Sequence, residues 1–203
     1  MGTIKATNIE PIADNGTVTL GSSGDTIAVG SGVTANGFGI GGAEQYILTS
    51  KYEINSADTN EVLTSNWSEV STVGNLKKPG KIGSLTSQSS GIFSFSQTGI
   101  YKVSLHASFF LSGSGNARYN AGNIEVTSDN SSYSIEAIGY ALLTSSSGGV
   151  DSSSSFIEYL LDVDDTSNVK VRISVVSNSA DAEVRGDTNY VNTNVIFTRL
   201  GDT

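Results

Sequence analysis

The 203-residue chain has no cysteine, which removes disulfides, thiolate zinc sites and a cysteine nucleophile together. One histidine is present in the whole chain, too few for an imidazole-based transition-metal site. Basic residues are scarce, with 11 Lys+Arg against 20 Asp+Glu, a net charge of −9 and a pI near 4.4. Nucleic acid is excluded as a partner, because phosphate binding depends on Lys and Arg displacing counterions. Long apolar runs are missing as well; none approaches the ~18 residues of a membrane span, so no membrane insertion is expected. The opening MGTIKATNIEPIADNG has no apolar core behind a basic region and does not read as a secretory signal. Charged residues make up 15% of the chain, against about 25% in average soluble proteins. Ser, Thr, Asn and Gly take their place, a surface suited to a β-rich extracellular or particle-borne protein. Hydrophobic content of 37% still permits a core, and without cystines its stability outside a cell must come from packing or oligomerisation.

What is there is period-two alternation from end to end, with no sustained helical period. Thr17–Leu20 and Ile27–Val29 read as short strands separated by the turn Gly21–Asp25. Strands that short bury too little to fold alone, so the segment 1–42 reads as an attachment or stalk piece ending in the joint Phe38–Gly42. The remainder, 43–203, reads as one head. Tyr46, Leu48, Tyr52 and Ile54 share a face of its first strand, and Val62–Val70 with Trp67 forms a second. Gly91–Phe95 and Tyr101–Phe109, separated by Ser96–Gly99, predict a hairpin. Further strands are expected at 123–127, 133–143, 156–163, 169–176 and 192–200, with a Ser-rich loop over Leu142–Phe156 and a hairpin turn over Asp162–Asn168. Nine or ten strands with turns every 8–12 residues predict an all-β, two-sheet jelly-roll sandwich.

The run Gly91-Ile-Phe-Ser-Phe-Ser-Gln-Thr-Gly-Ile-Tyr101-Lys-Val103 resembles the G-x-F-x-F-x-x-x-G-x-Y-x-V element of the C1q/TNF-like jelly rolls. Leu160–Val169 is similar to that family's strand, acidic turn and strand, with Asp164-Asp165 in place of its Gly-Asp. Asn194–Leu200 stands where the family ends on an aromatic strand. The resemblance spans about residues 46–200 and implies a homotrimer whose chain ends meet at one pole. Residues 1–26 resemble N-terminal segments of tail-fibre and appendage proteins of marine bacteriophages, cyanophages especially. Together the two resemblances imply a short trimeric virion fibre or appendage, bound to other virion proteins through 1–42, with a non-enzymatic head that meets host-surface glycans. The alternatives are a capsid decoration or head-knob protein and a stand-alone carbohydrate-binding module.

No residue set points to catalysis. His106 sits between Ser104 and Ser108 on the strand face opposite Leu105, and no G-x-S-x-G elbow occurs. Glu158 and Asp162 share a strand face as a glycosidase pair would, yet acidic residues so spaced are common on a wet face. Oxygen ligands are plentiful, and Asp162, Asp164, Asp165 and Asn168 crowd one turn as a calcium candidate, without EF-hand spacing or its closing Glu. No cofactor is expected. Arg185-Gly186-Asp187 spells the integrin-binding tripeptide, and Asn15, Asn66 and Asn130 open sequons. Glycan contact is expected from loops remote from the N-terminus, with 113–122, 128–132 and 145–155 as candidates. Within them, Tyr119, Asn120, Asn130 and the adjoining Tyr133 supply the aromatic faces and amides that sugars use.

Overall fold

The computed structural model of the chain describes residues 41–77, 79–112, 117–142 and 150–203. The expected strands of 1–40 and the loop stretches 113–116 and 143–149 lie outside these residues. Strands in chain order are β1 (Gly42–Leu48), β2 (Tyr52–Glu53), β3 (Glu61–Val62), β4 (Trp67–Glu69), β5 (Thr86–Ser89), β6 (Ile92–Phe95) and β7 (Gly99–Ser112). They continue as β8 (Asn120–Thr127), β9 (Ser134–Ala141), β10 (Val150–Val163), β11 (Lys170–Ser177), β12 (Ala182–Val184) and β13 (Asn194–Gly201). Every pairing is antiparallel. One sheet runs β10, β7, β13, β1, β4, with β12 and β2 continuing beside the far half of β7; the other runs β5, β6, β11, β8, β9, with β3 on β11. This is a two-sheet jelly roll, as the alternation predicts.

Alternation dictates the layers. Tyr101, Val103, Leu105, Ala107 and Phe109 of β7 are fully buried, and Val171, Ile173 and Val175 of β11 face them from the second sheet. The centre is aromatic: Phe93 lies 5.1 Å from both Tyr46 and Phe197, ring centre to ring centre, and Phe95 lies 4.7 Å from Tyr101. Tilted and edge-on contacts of this kind add to simple area burial. Where β9 crosses β10 the sheets come close. A Cβ on Gly139 would fall 2.4 Å from Ile157 Cγ2, so only glycine fits.

Four expectations need correction. First, β6 and β7 do not form a hairpin, since β6 pairs with β5 and β11 while β7 pairs with β10, β12 and β13. Their apolar faces meet across the core, and Ser96–Thr98 carries the chain from one sheet to the other, closed by Tyr101 Oη donating to the Gln97 carbonyl at 2.9 Å. Second, Asp164–Asn168 likewise links the sheets, β10 to β11, rather than turning a hairpin. Third, the serines of 152–155 belong to β10 and pair with β7 from Ser152 opposite Phe110 to Ser155 opposite Ala107. Composition reads them as loop, but the backbone ladder decides, and Ser155 is buried beneath β8 and β9 where small side chains fit. Fourth, neither of the first two expected strands of the head is continuous: the Tyr46–Ile54 stretch breaks after Leu48, with β1 pairing β13 and β4, and β2 pairing β12, and Val62–Val70 is not one strand. Asn66 adopts a left-handed φ of 65°, Trp67 Nε1 donates back to the Leu63 carbonyl at 2.9 Å, and the chain changes sheets between β3 and β4 before a one-turn 3₁₀ helix at Val70–Thr72.

Candidate functional site

The described head begins and ends at one pole. Gly41 donates its backbone N–H to the Arg199 carbonyl at 2.9 Å, and Gly42 pairs with Arg199. The registers Val163–Gly99 and Lys170 against both Ser94 and Thr127 put the turns 96–98, 128–133 and 164–169 at this same pole. The far pole carries 49–51, 117–119, 178–181 and 185–193, since Leu48 bonds Thr193 and Asn178 bonds the Tyr119 carbonyl.

The four glycan candidates therefore separate. Tyr119 and Asn120 enter β8 at the far pole, whereas Asn130 and Tyr133 follow its other end, about 24 Å away over the steps between its eight residues at ~3.4 Å each. The loop 128–132, expected remote from the chain ends, lies beside them, because β8 runs from the far pole back to the near one. Asn130 holds a left-handed φ of 57° and donates its N–H to the Asn168 carbonyl at 3.1 Å. Tyr133 lies under the Arg172 guanidinium, 4.1 Å from ring centre, and burial raises its phenol pKa. At the far pole, Tyr119 donates its hydroxyl to Asp58 at 2.7 Å, which raises its pKa, and its ring stands edge-on to exposed Tyr140 at 6.2 Å. Asn120 is fully buried and faces the core, not this surface.

Asn120 is the oddest polar group in the head. Neither atom of its amide has a hydrogen-bond partner, and the hydroxyls of Ser153 and Ser155 are likewise unpartnered. Each such group costs roughly 1–3 kcal/mol when left unmade.

The other candidates of the sequence occupy structural positions. His106 Nδ1 meets the Asn192 carbonyl at 2.7 Å. Glu158 is bound by Lys102 at 3.0 Å and Ser104 at 2.9 Å, which lowers its pKa, the direction opposite to that of a general acid. Asp165 accepts from the Ser167 hydroxyl and N–H and from Asn168, and these bonds lower its pKa. Among the described residues no three His, Cys, Asp or Glu side chains gather as a metal-holding group.

Arg185-Gly186-Asp187 is not a free loop. Arg185 donates its N–H to the Ser108 carbonyl at 2.8 Å and Asp187 to the Leu48 carbonyl at 2.9 Å. A Cβ on Gly186 would fall 2.1 Å from the Ser50 carbonyl oxygen, so the backbone lies flat on the end of β1. That anchoring builds something sequence reasoning missed: a concavity of about 450 Å³ at the far pole, floored by Phe110 and walled by Lys51, Arg185 and Tyr190. The Arg185 guanidinium stacks on Phe110 at 4.7 Å. Its lining comes from three distant stretches, around 51, 110 and 183–192, so no local motif announces it.

Two antiparallel sheets wound in this order define a TNF-like jelly roll. Among solved structures, murine APRIL at pH 8.5 matches with a TM-score of 0.53 at 9% identity, covering 78% of this chain and 98% of that one. Eiger, a TNF from S. frugiperda, matches with a TM-score of 0.52 at 14% identity, covering 79% of this chain and 93% of the other. No protein-family model and no curated protein matches the chain. At these identities the likeness speaks for the fold.

Proposed function

We propose that the chain is a non-enzymatic virion protein of a bacteriophage, a short homotrimeric fibre or appendage whose head is displayed at the particle surface for host-glycan attachment. The fold fits a non-catalytic structural or binding role. The observation that carries the assembly is an uncovered apolar stripe on the sheet-edge strand β10. Phe156 and Leu160 point outward, each 63% exposed, on a strand whose other face is closed by the core. The neighbouring edge strand β9 adds Ile138 and Tyr140, 45% and 67% exposed. Large apolar residues left open on the outer face of an edge strand favour burial against other copies of the chain.

The polarity of the head supports attachment. The chain enters the head at the Gly41–Gly42 pole, and Tyr119, Tyr190 and the concavity lie at the opposite pole of the head. Deleting residues 1–40 is expected to abolish incorporation into particles while the head still folds. Replacing Tyr119 and Tyr190 together by Ala is expected to lower adsorption of particles that carry a full complement of the protein. Normal adsorption by such particles contradicts the attachment role and favours capsid decoration.

A further inference from the structure

From the far-pole concavity we infer a binding site for a carboxylate-bearing pyranose, a uronic or sialic acid residue of a surface polysaccharide. This deepens the reading of the molecule as an attachment head and rests on it. The charges around the hollow set the ligand class. Lys51 is engaged by Glu183 at 2.8 Å and Glu53 at 3.0 Å. Asp187 accepts the Asn189 N–H and side-chain amide, bonds that lower its pKa. Arg185 makes no ion pair within 4 Å to a described residue, and its charge reaches Asp187 only as a smaller contribution to the lowering of that carboxyl's pKa. Its guanidinium is held flat on Phe110, and its backbone is pinned at both N–H and carbonyl, to Ser108 at 2.8 Å and Thr193 at 3.3 Å. Stacking on an aromatic face leaves the edge of the fork, with its parallel N–H donors, free for a carboxylate in the bidentate manner that lysine cannot reproduce.

The apolar half of a sugar ring has its own partner. Tyr190 is 69% exposed on the wall beside Arg185, and an aromatic face next to fixed polar groups is the composition of sugar sites. The volume of about 450 Å³ falls within the roughly 300–1,000 Å³ of small-ligand pockets. Phe110 lies four residues along β7 from His106, about 14 Å further toward the far pole, so the hollow stands apart from the Phe156 end of the apolar stripe, which is in register with His106. With a net charge of −9 the whole chain does not attract anions at long range. Selection therefore depends on the short-range fork, within a Debye length of about 8 Å at physiological salt.

The test is a titration of the full-length protein by calorimetry or ligand-observed NMR with methyl glucuronide and methyl glucoside, which differ only in the carboxylate. The glucuronide is expected to bind at least about tenfold more tightly. Arg185→Gln should erase that difference, Arg185→Lys should restore only part of it, and Tyr190→Ala should weaken both sugars alike, all with melting temperatures unchanged. Equal affinities, a preference that survives Arg185→Gln, or no binding of either sugar overturns the site. Adsorption separates the two levels of the reading. If the titration shows no Arg185-dependent preference but the Tyr119/Tyr190 double variant adsorbs poorly, the attachment role stands and the site falls; if the glucuronide binds at Arg185 but that double variant adsorbs normally, the site stands and the attachment role falls.

Discussion

Phe95 and Asn120 mark the two extremes of the interior. Phe95 is wedged between Tyr101 at 4.7 Å and Phe197 at 5.8 Å, so truncation leaves a cavity that neighbouring rings cannot fill. Phe95→Ala is expected to destabilise the head by about 3–5 kcal/mol, read as a lower denaturant midpoint with the same slope. An unchanged midpoint would place the ring on the wrong face. Asn120 carries the reverse expectation. Its amide is buried without a partner, so Asn120→Leu, which keeps the branching and the number of side-chain heavy atoms, removes a desolvated group and should leave stability equal or higher. Denaturant unfolding checks this too, and a loss above about 1 kcal/mol, the typical net worth of one hydrogen bond, would mean that the amide is satisfied by bound water.

At the scale of elements, the β8–β9 turn is held by one carboxylate. Asp129 accepts bonds from the Ser132 N–H at 2.7 Å, the Thr127 hydroxyl at 2.8 Å and the Ser131 N–H at 2.9 Å, which push its pKa well below the usual range. A depressed folded-state pKa stabilises the turn above the unfolded value near 3.9 and loses that contribution only as pH falls through the lower folded value. Hydrogen exchange at the Ser131 and Ser132 amides should therefore stay protected through pH 4, whereas Asp129→Ala should expose both at neutral pH. Equal protection in the two proteins contradicts this role.

The element scale also shows where sequence reading worked. Strands with strict alternation, such as 101–109 and 169–176, were legible because one face is entirely apolar. The sheet to which a strand belongs was not. Phe93 and Tyr101 carry the same inward signal whether their strands pair side by side or face each other across the core, so the hairpin reading failed there and at Asp164–Asn168. Ser152–Ser155 failed for a related reason, since backbone pairing leaves no mark on composition. Of the far-pole residues, Tyr119 is singled out in the sequence by its residue type alone. The hollow around Arg185 was hidden because tertiary pairing alone unites Lys51, Phe110 and Tyr190.

At the scale of the molecule, the stripe of β10 makes a claim about copies of the chain. Phe156 and Leu160 alternate with Glu158 on the outer face, and Glu158 is already neutralised by Lys102 at 3.0 Å. A contact there is apolar at Phe156 and Leu160, with Glu158 between them paired and Asp162 on the same face beyond Leu160. Phe156→Asp replaces one of its two large apolar side chains with an unpaired charge and is expected to dissociate the assembly without unfolding the head, because that side chain makes no part of the core. Light scattering on the full-length protein, coupled to size-exclusion chromatography, tests the central claim most directly. The account predicts a particle three times the 21.0 kDa chain mass, and a stable species of one chain mass would contradict it.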